Sequence, residues 1–196
     1  MPPSSIYHER QVAQLCALHA LNNLYQRARM FTKEQLDAYC YELTPRIWLN
    51  PHRSWLGWGN YDVNCIMYAV QQRNCEAIWF DRRRDPSCLN FDAIFGFIMN
   101  IGSTSMWMMM RARHWIALRR IERHYYNLDS KLTHPRRIGD EFQFIEFLRH
   151  QLLADNDHEL FIIIMREQPE EEEDEEAEQQ QFWLKPQYRS LQQSTE

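Results

Sequence analysis

The chain has 196 residues, enough for one domain with a sizeable core and short for two. It is 44% hydrophobic and 25% charged, the balance of a soluble globular protein, and its formal net charge is -5. That charge is unevenly placed: residues 166–196 hold 10 Asp and Glu against 3 Lys and Arg, while residues 1–165 hold 17 against 19, so a near-neutral body carries an acidic tail and the strongly basic face of a nucleic-acid binder is excluded.

The N-terminus, MPPSSIYHERQ, lacks the apolar stretch of a signal peptide, and no apolar run is long enough to cross a membrane. The five cysteines, Cys16, Cys40, Cys65, Cys75 and Cys88, are odd in number and show no zinc-type spacing. Free thiols in a reducing, intracellular setting are expected, in the cytoplasm with the nucleus as a second site.

Leu15, Leu18, Leu21 and Tyr25 recur at helical spacing and predict a helix over 11–26. Thr32, with Gln35 three residues on, signals the capped start of a second helix over 33–43, which stops near Pro45. Residues 44–60, with three Trp, two Pro and two Gly, read as an ordered loop. Val63, Ile66, Met67 and Val70 return to helical period over 61–73, and residues 76–80 read as a strand. Arg82, Arg83 and Arg84 read as a solvated turn. Phe91, Ile94, Phe95 and Ile98 predict a helix over 89–99. The second half changes character: 106–110, 114–121, 124–129 and 160–165 read as antiparallel strands, interrupted by a helix over 139–153. Helices first and strands later make an α+β domain. It is expected to fill residues 1–166, with 167–196 as an acidic, disordered tail. Phe182, Trp183, Leu184 and Tyr188 in that tail are either a short docking motif or incidental.

Three segments carry candidate chemistry. Cys16 stands near the start of a helix, whose positive end favours a thiolate, as does a nearby imidazolium. Alone it reads as well as a small core residue. His114 opens a strand and has the titration range to take a thiol proton and return one to a leaving amine. A hairpin pairing 114–120 with 124–130 brings up Asp129, and Asn127 on the same face; either could orient the imidazole. Gln11, five residues before Cys16, has a side-chain amide able to donate to an oxyanion. His19 shares a helical face with Cys16, but no second Cys or His pair completes a metal site, so no metal and no cofactor are expected.

The segment Ile6–Asn23, together with Gly59–Asn64, His114–Leu118 and Tyr126–Ser130 in that order, resembles the Josephin family of deubiquitinases. The likeness spans about residues 6–165. Asn50–Ser54 and Trp79–Arg84 make it most similar to the small Josephin-1/Josephin-2-type members rather than the ataxin-type ones. The resemblance implies a papain-like fold, an antiparallel sheet packed with helices, plus a helical arm at residues 31–58. It implies Cys16 as nucleophile, His114 as general base and Gln11 as oxyanion-hole residue. Asp129 falls at the orienting position, where the ataxin-type branch has Asn. Ubiquitin and its conjugates are the implied substrate, with Val63 and Asn64 in a segment that contacts ubiquitin. Beside an active isopeptidase stand two other readings: a ubiquitin-binding adaptor with weak or latent catalysis, and an oxidant-responsive thiol at Cys16.

Overall fold

A computed structural model describes residues 6–44, 61–103, 112–154, 158–166 and 182–189. The first helix, α1, is Cys16–Tyr25, later than its apolar period suggests. Ala13 has a positive φ of 53°, which no right-handed helix accommodates, so residues 11–15 form a turn that leads into α1. At its other end Gln26, with φ 54°, caps the helix on the carbonyls of Asn22 and Asn23. Helix α2 (Lys33–Leu43) opens with the expected capping box: Gln35 N–H donates to Thr32 Oγ1 and Thr32 N–H to Gln35 Oε1. Helix α3 (Val63–Gln71) starts where Asp62 accepts from Cys65 N–H at 3.0 Å.

The strands follow as β1 (Cys75–Phe80), β2 (Gly96–Ser103), β3 (Ala112–Ile121), β4 (His124–Asn127), β5 (Arg136–Gly139) and β6 (Glu159–Met165), with one 3-10 turn at Pro86–Cys88. Helix α4 (Glu141–Ala154) lies between β5 and β6, and the short α5 (Pro186–Arg189) comes last. Asp140 and Gln143 form a reciprocal capping pair at the start of α4.

All six strands join one antiparallel sheet in the order β1-β6-β2-β3-β4-β5. Helices α1 and α3 cover one face, with α2 packed against α3, burying Ile98, Trp115, Ala117, Phe161 and Ile163. Helix α4 and the C-terminal segment cover the other, burying Phe97, Met99, Ile116, Leu118, Ile162 and Ile164. A sheet covered on both faces needs strands apolar on both sides, which is why β6 reads Leu160–Ile164 without a polar break. Gly96 lets α1 come close: a Cβ there would lie 2.6 Å from Leu24 Cδ1.

Residues 89–99 are not a helix. They are turns followed by β2, whose Ile98 and Phe97 point into opposite cores. The expected strand at 106–110, and the arm beyond α2 with its three Trp, lie outside the described residues. The acidic tail also needs correction, because residues 182–189 are not disordered. Asn90 N–H donates to Trp183 O at 2.8 Å and Lys185 N–H to Cys88 O at 2.9 Å, pairing Leu184 with Leu89. Trp183 and Leu184 are buried beside Leu89, Phe91 and Phe144. The docking motif thus closes on its own body.

Candidate active site

Cys16 is the first residue of α1, and it is 5% exposed. Neither a side-chain cap nor an acidic first-turn residue offsets the positive end of that helix. His114, at the start of β3, places Nε2 2.6 Å from Asp129 Oδ1, just beyond β4. The Cys16 thiol lies close enough to the ring to bear on its charge. With Nε2 on the carboxylate, Nδ1 is left for the sulfur.

Burial disfavours a charged His114, but the hydrogen bond to Asp129 and the nearby Cys16 outweigh it, and the pKa is raised above its ordinary value. Asp129 is the mirror case. Burial pushes it up, the His114 hydrogen bond and Lys131 N–H (2.9 Å) pull it down, and the net direction is down. The two shifts agree: each partner favours the other's charged form. Asn127 does not reach His114 by a hydrogen bond; its Oδ1 accepts Asp129 N–H at 2.9 Å and braces that residue.

Gln11 sits on the turn before α1. Its N–H donates to Ser130 O at 2.9 Å, Ser130 Oγ–H donates to its Oε1 at 3.3 Å, and its Nε2–H points to Ala13 O at 3.4 Å. The turn is thereby tied to the residue after Asp129. Val63 and Asn64 open α3, and Asn64 Nδ2 donates to Asp62 Oδ2 at 3.0 Å.

Sequence reasoning missed the polar network that holds these parts in register. Glu9 Oε1 accepts from Asn22 Nδ2 at 2.8 Å and from His19 Nδ1 at 3.0 Å. Val12 N–H donates to His19 Nε2 at 3.1 Å, so the ring hydrogen that faces Glu9 is on Nδ1. Burial pushes the Glu9 carboxyl up, but hydrogen bonds from His19, Tyr7 and Asn22 hold it below the ordinary range, so it stays ionised. Asn23, fully buried, donates to Glu9 O and Leu128 O and accepts Glu9 N–H at 2.7 Å. His8 Nε2 lies 3.0 Å from Asp129 O. The available signal was polar residues, His19, Asn22 and Asn23, on a helix otherwise buried as Ala and Leu. Both ring nitrogens of His19 are engaged in this network. Among the described residues no group of three or more His, Cys, Asp and Glu is placed to hold a metal, and all five cysteines are unbridged.

The geometry is that of a thiol–imidazole–carboxylate line spanning a helix N-terminus and an antiparallel sheet. The Josephin family profile matches residues 11–164. A Josephin-like protein of Drosophila melanogaster is 58% identical over 194 residues, covering 96% of this chain and 85% of its own length. Josephin-2 of Homo sapiens is 50% identical over 143 residues, 71% of this chain and 76% of its own. Ataxin-3 of Homo sapiens is more distant, 28% identical over 157 residues, 70% of this chain and 40% of its own. The chain belongs to the Josephin family, with its α+β, papain-like arrangement. Membership supports a function of the deubiquitinase type.

Proposed function

We propose that the chain is a thiol-dependent deubiquitinase that hydrolyses the isopeptide bond after the C-terminal glycine of ubiquitin. The observation that carries this reading is the 2.6 Å His114–Asp129 contact, with the Cys16 thiol near enough to act on the same ring.

His114 Nδ1 takes the thiol proton, and Asp129 stabilises the imidazolium. The Cys16 thiolate attacks the glycine carbonyl. The oxyanion is met by the Gln11 amide and the backbone N–H at the head of α1. His114 then protonates the departing lysine amine, leaving a thioester. A water, deprotonated by His114, attacks the thioester; ubiquitin leaves as a carboxylate and the thiol is restored. All these steps run on protein side chains and water. Ubiquitin's body would rest on the start of α3, with Val63 and Asn64 as contacts. An intracellular, cytoplasmic setting belongs to the same proposal; five unbridged cysteines suit a reducing compartment.

The test is ubiquitin bearing a C-terminal electrophile, mixed with wild type and Cys16→Ala. The expected result is a covalent adduct on wild type alone, with turnover of conjugates abolished in the variant. A folded, reduced wild type that binds ubiquitin but forms no adduct supports the adaptor instead. Normal hydrolysis by Cys16→Ala refutes the mechanism.

A further inference from the structure

A second polar site lies away from Cys16. Arg27 and Arg29, in the link between α1 and α2, and Arg73, in the turn after α3, line a surface pocket of about 330 Å³ together with Ala28 and Met30. The ten residues of α1 set it roughly 15 Å along the helix from Cys16. It is therefore independent of the chemistry proposed there.

The Arg73 guanidinium is held in place before any ligand arrives. Its Nη2–H donates to Met30 O at 3.0 Å, and its Cζ stands 5.1 Å over the Phe31 ring. Its Nε–H is buried and has no acceptor. A buried donor without a partner is costly, and here it belongs to a planar fork built to meet oxyanions. Arg29 has a positive φ of 54°, a conformation a non-glycine residue adopts only when its surroundings impose it. Among the described residues, none of the three guanidinium groups forms an ion pair that would neutralise it. Three like charges gathered around one pocket repel, and a shared anion relieves that repulsion.

We propose that Arg27, Arg29 and Arg73 form an oxyanion-binding site, taking phosphate or clustered carboxylates. The carboxylates have a source in this same chain. Arg166 N–H donates to Asn74 O at 2.9 Å and Asn74 Nδ2 donates to Arg166 O at 3.1 Å, so the chain passes beside Arg73. Eight acidic residues lie between Glu170 and Glu178, starting four positions later. Free phosphate offers the same chemistry from outside.

The experiment follows the side-chain Nε–H resonance of Arg73 by NMR in the full chain, as inorganic phosphate is added at constant ionic strength. Three forms are compared: wild type, the double variant R27Q/R29Q, and a neutralised form with Glu170, Glu171, Glu172, Glu173, Glu175, Glu176 and Glu178 changed to Gln and Asp174 to Asn. Arg27 and Arg29 are exposed, so the double variant leaves the core untouched. The expected result is a saturable shift in wild type, with affinity reduced about tenfold or more in R27Q/R29Q, as loss of charge-assisted hydrogen bonds requires. Tighter phosphate binding by the neutralised form, several-fold, identifies the chain's own carboxylates as occupant; equal binding identifies a free anion. The proposal is overturned if R27Q/R29Q titrates like wild type, if chloride produces the same shift, or if neither wild type nor the neutralised form responds.

Discussion

His114 stands between a carboxylate that favours its charge and an interior that opposes it, and the carboxylate prevails. This has consequences for pH. A histidine raised by folding stabilises the fold fully below its unfolded value of about 6.5, and that contribution fades as pH rises through the folded value. Asp129, depressed by folding, stabilises it fully above about 3.9, and that contribution fades as pH falls through its folded value. The pair therefore contributes fully from about pH 4 to 6.5. In activity, the raised His114 extends the basic limb of the rate profile, because a charged imidazole persists to higher pH. Asp129→Asn should shift that limb to lower pH and reduce turnover on the order of 10²–10⁴-fold, read from kcat/KM against pH with a ubiquitin C-terminal amide. Asn127→Ala, which removes only the brace on the Asp129 N–H, should cost less than Asp129→Ala. The reverse ranking would hand the orienting role to Asn127. Sequence spacing left those two residues equal; the Asx turn that separates them is a backbone geometry that residue identity alone does not reveal.

Helix α1 is pinned to the strand side of the site by Asn23, which links it to both Glu9 and Leu128. Asn23→Ala strands a buried backbone N–H and two carbonyls. It should cost about 1–3 kcal/mol for each buried group left unsatisfied, measured by denaturant unfolding, and should loosen the Cys16–His114 register. The three helices on this face were legible because each has one apolar side and, for α2, a capping box written in the sequence. Residues 89–99 misled for a physical reason. Phe91, Ile94 and Phe95 lie in the turns before β2 and, with Ile98, pack into both cores, so their spacing imitates a helical period. Strand β5, Arg136–Gly139, was missed because an edge strand of two arginines carries no apolar alternation. The C-terminal segment offered aromatic residues but no sign of what they covered. The target is the face around Leu89, which local sequence cannot disclose. Leu184 is fully buried there, and Leu184→Ala should destabilise the domain by about 2–5 kcal/mol in thermal or urea unfolding. No loss of stability would mean the segment is an ornament on an already complete core.

The molecule as a whole is one sheet between two cores, with the proposed nucleophile delivered from the first-face helices and its partners from strands toward the far end of the sheet. The α+β class and the separation of helical and strand-rich halves were readable from the chain; the sheet's strand order was not, because order depends on which edges meet. That order places β6 between β1 and β2. Synthesis runs from the N-terminus, and β6 ends only at Met165. While a ribosome is still making the chain, β1 has no strand to pair with, and β2 can pair only on its β3 side. Both wait with open hydrogen-bonding edges and apolar faces until the last strand emerges. At about 5–20 residues per second, that exposure lasts seconds, long enough for chaperones to matter to how much of this protein a cell recovers.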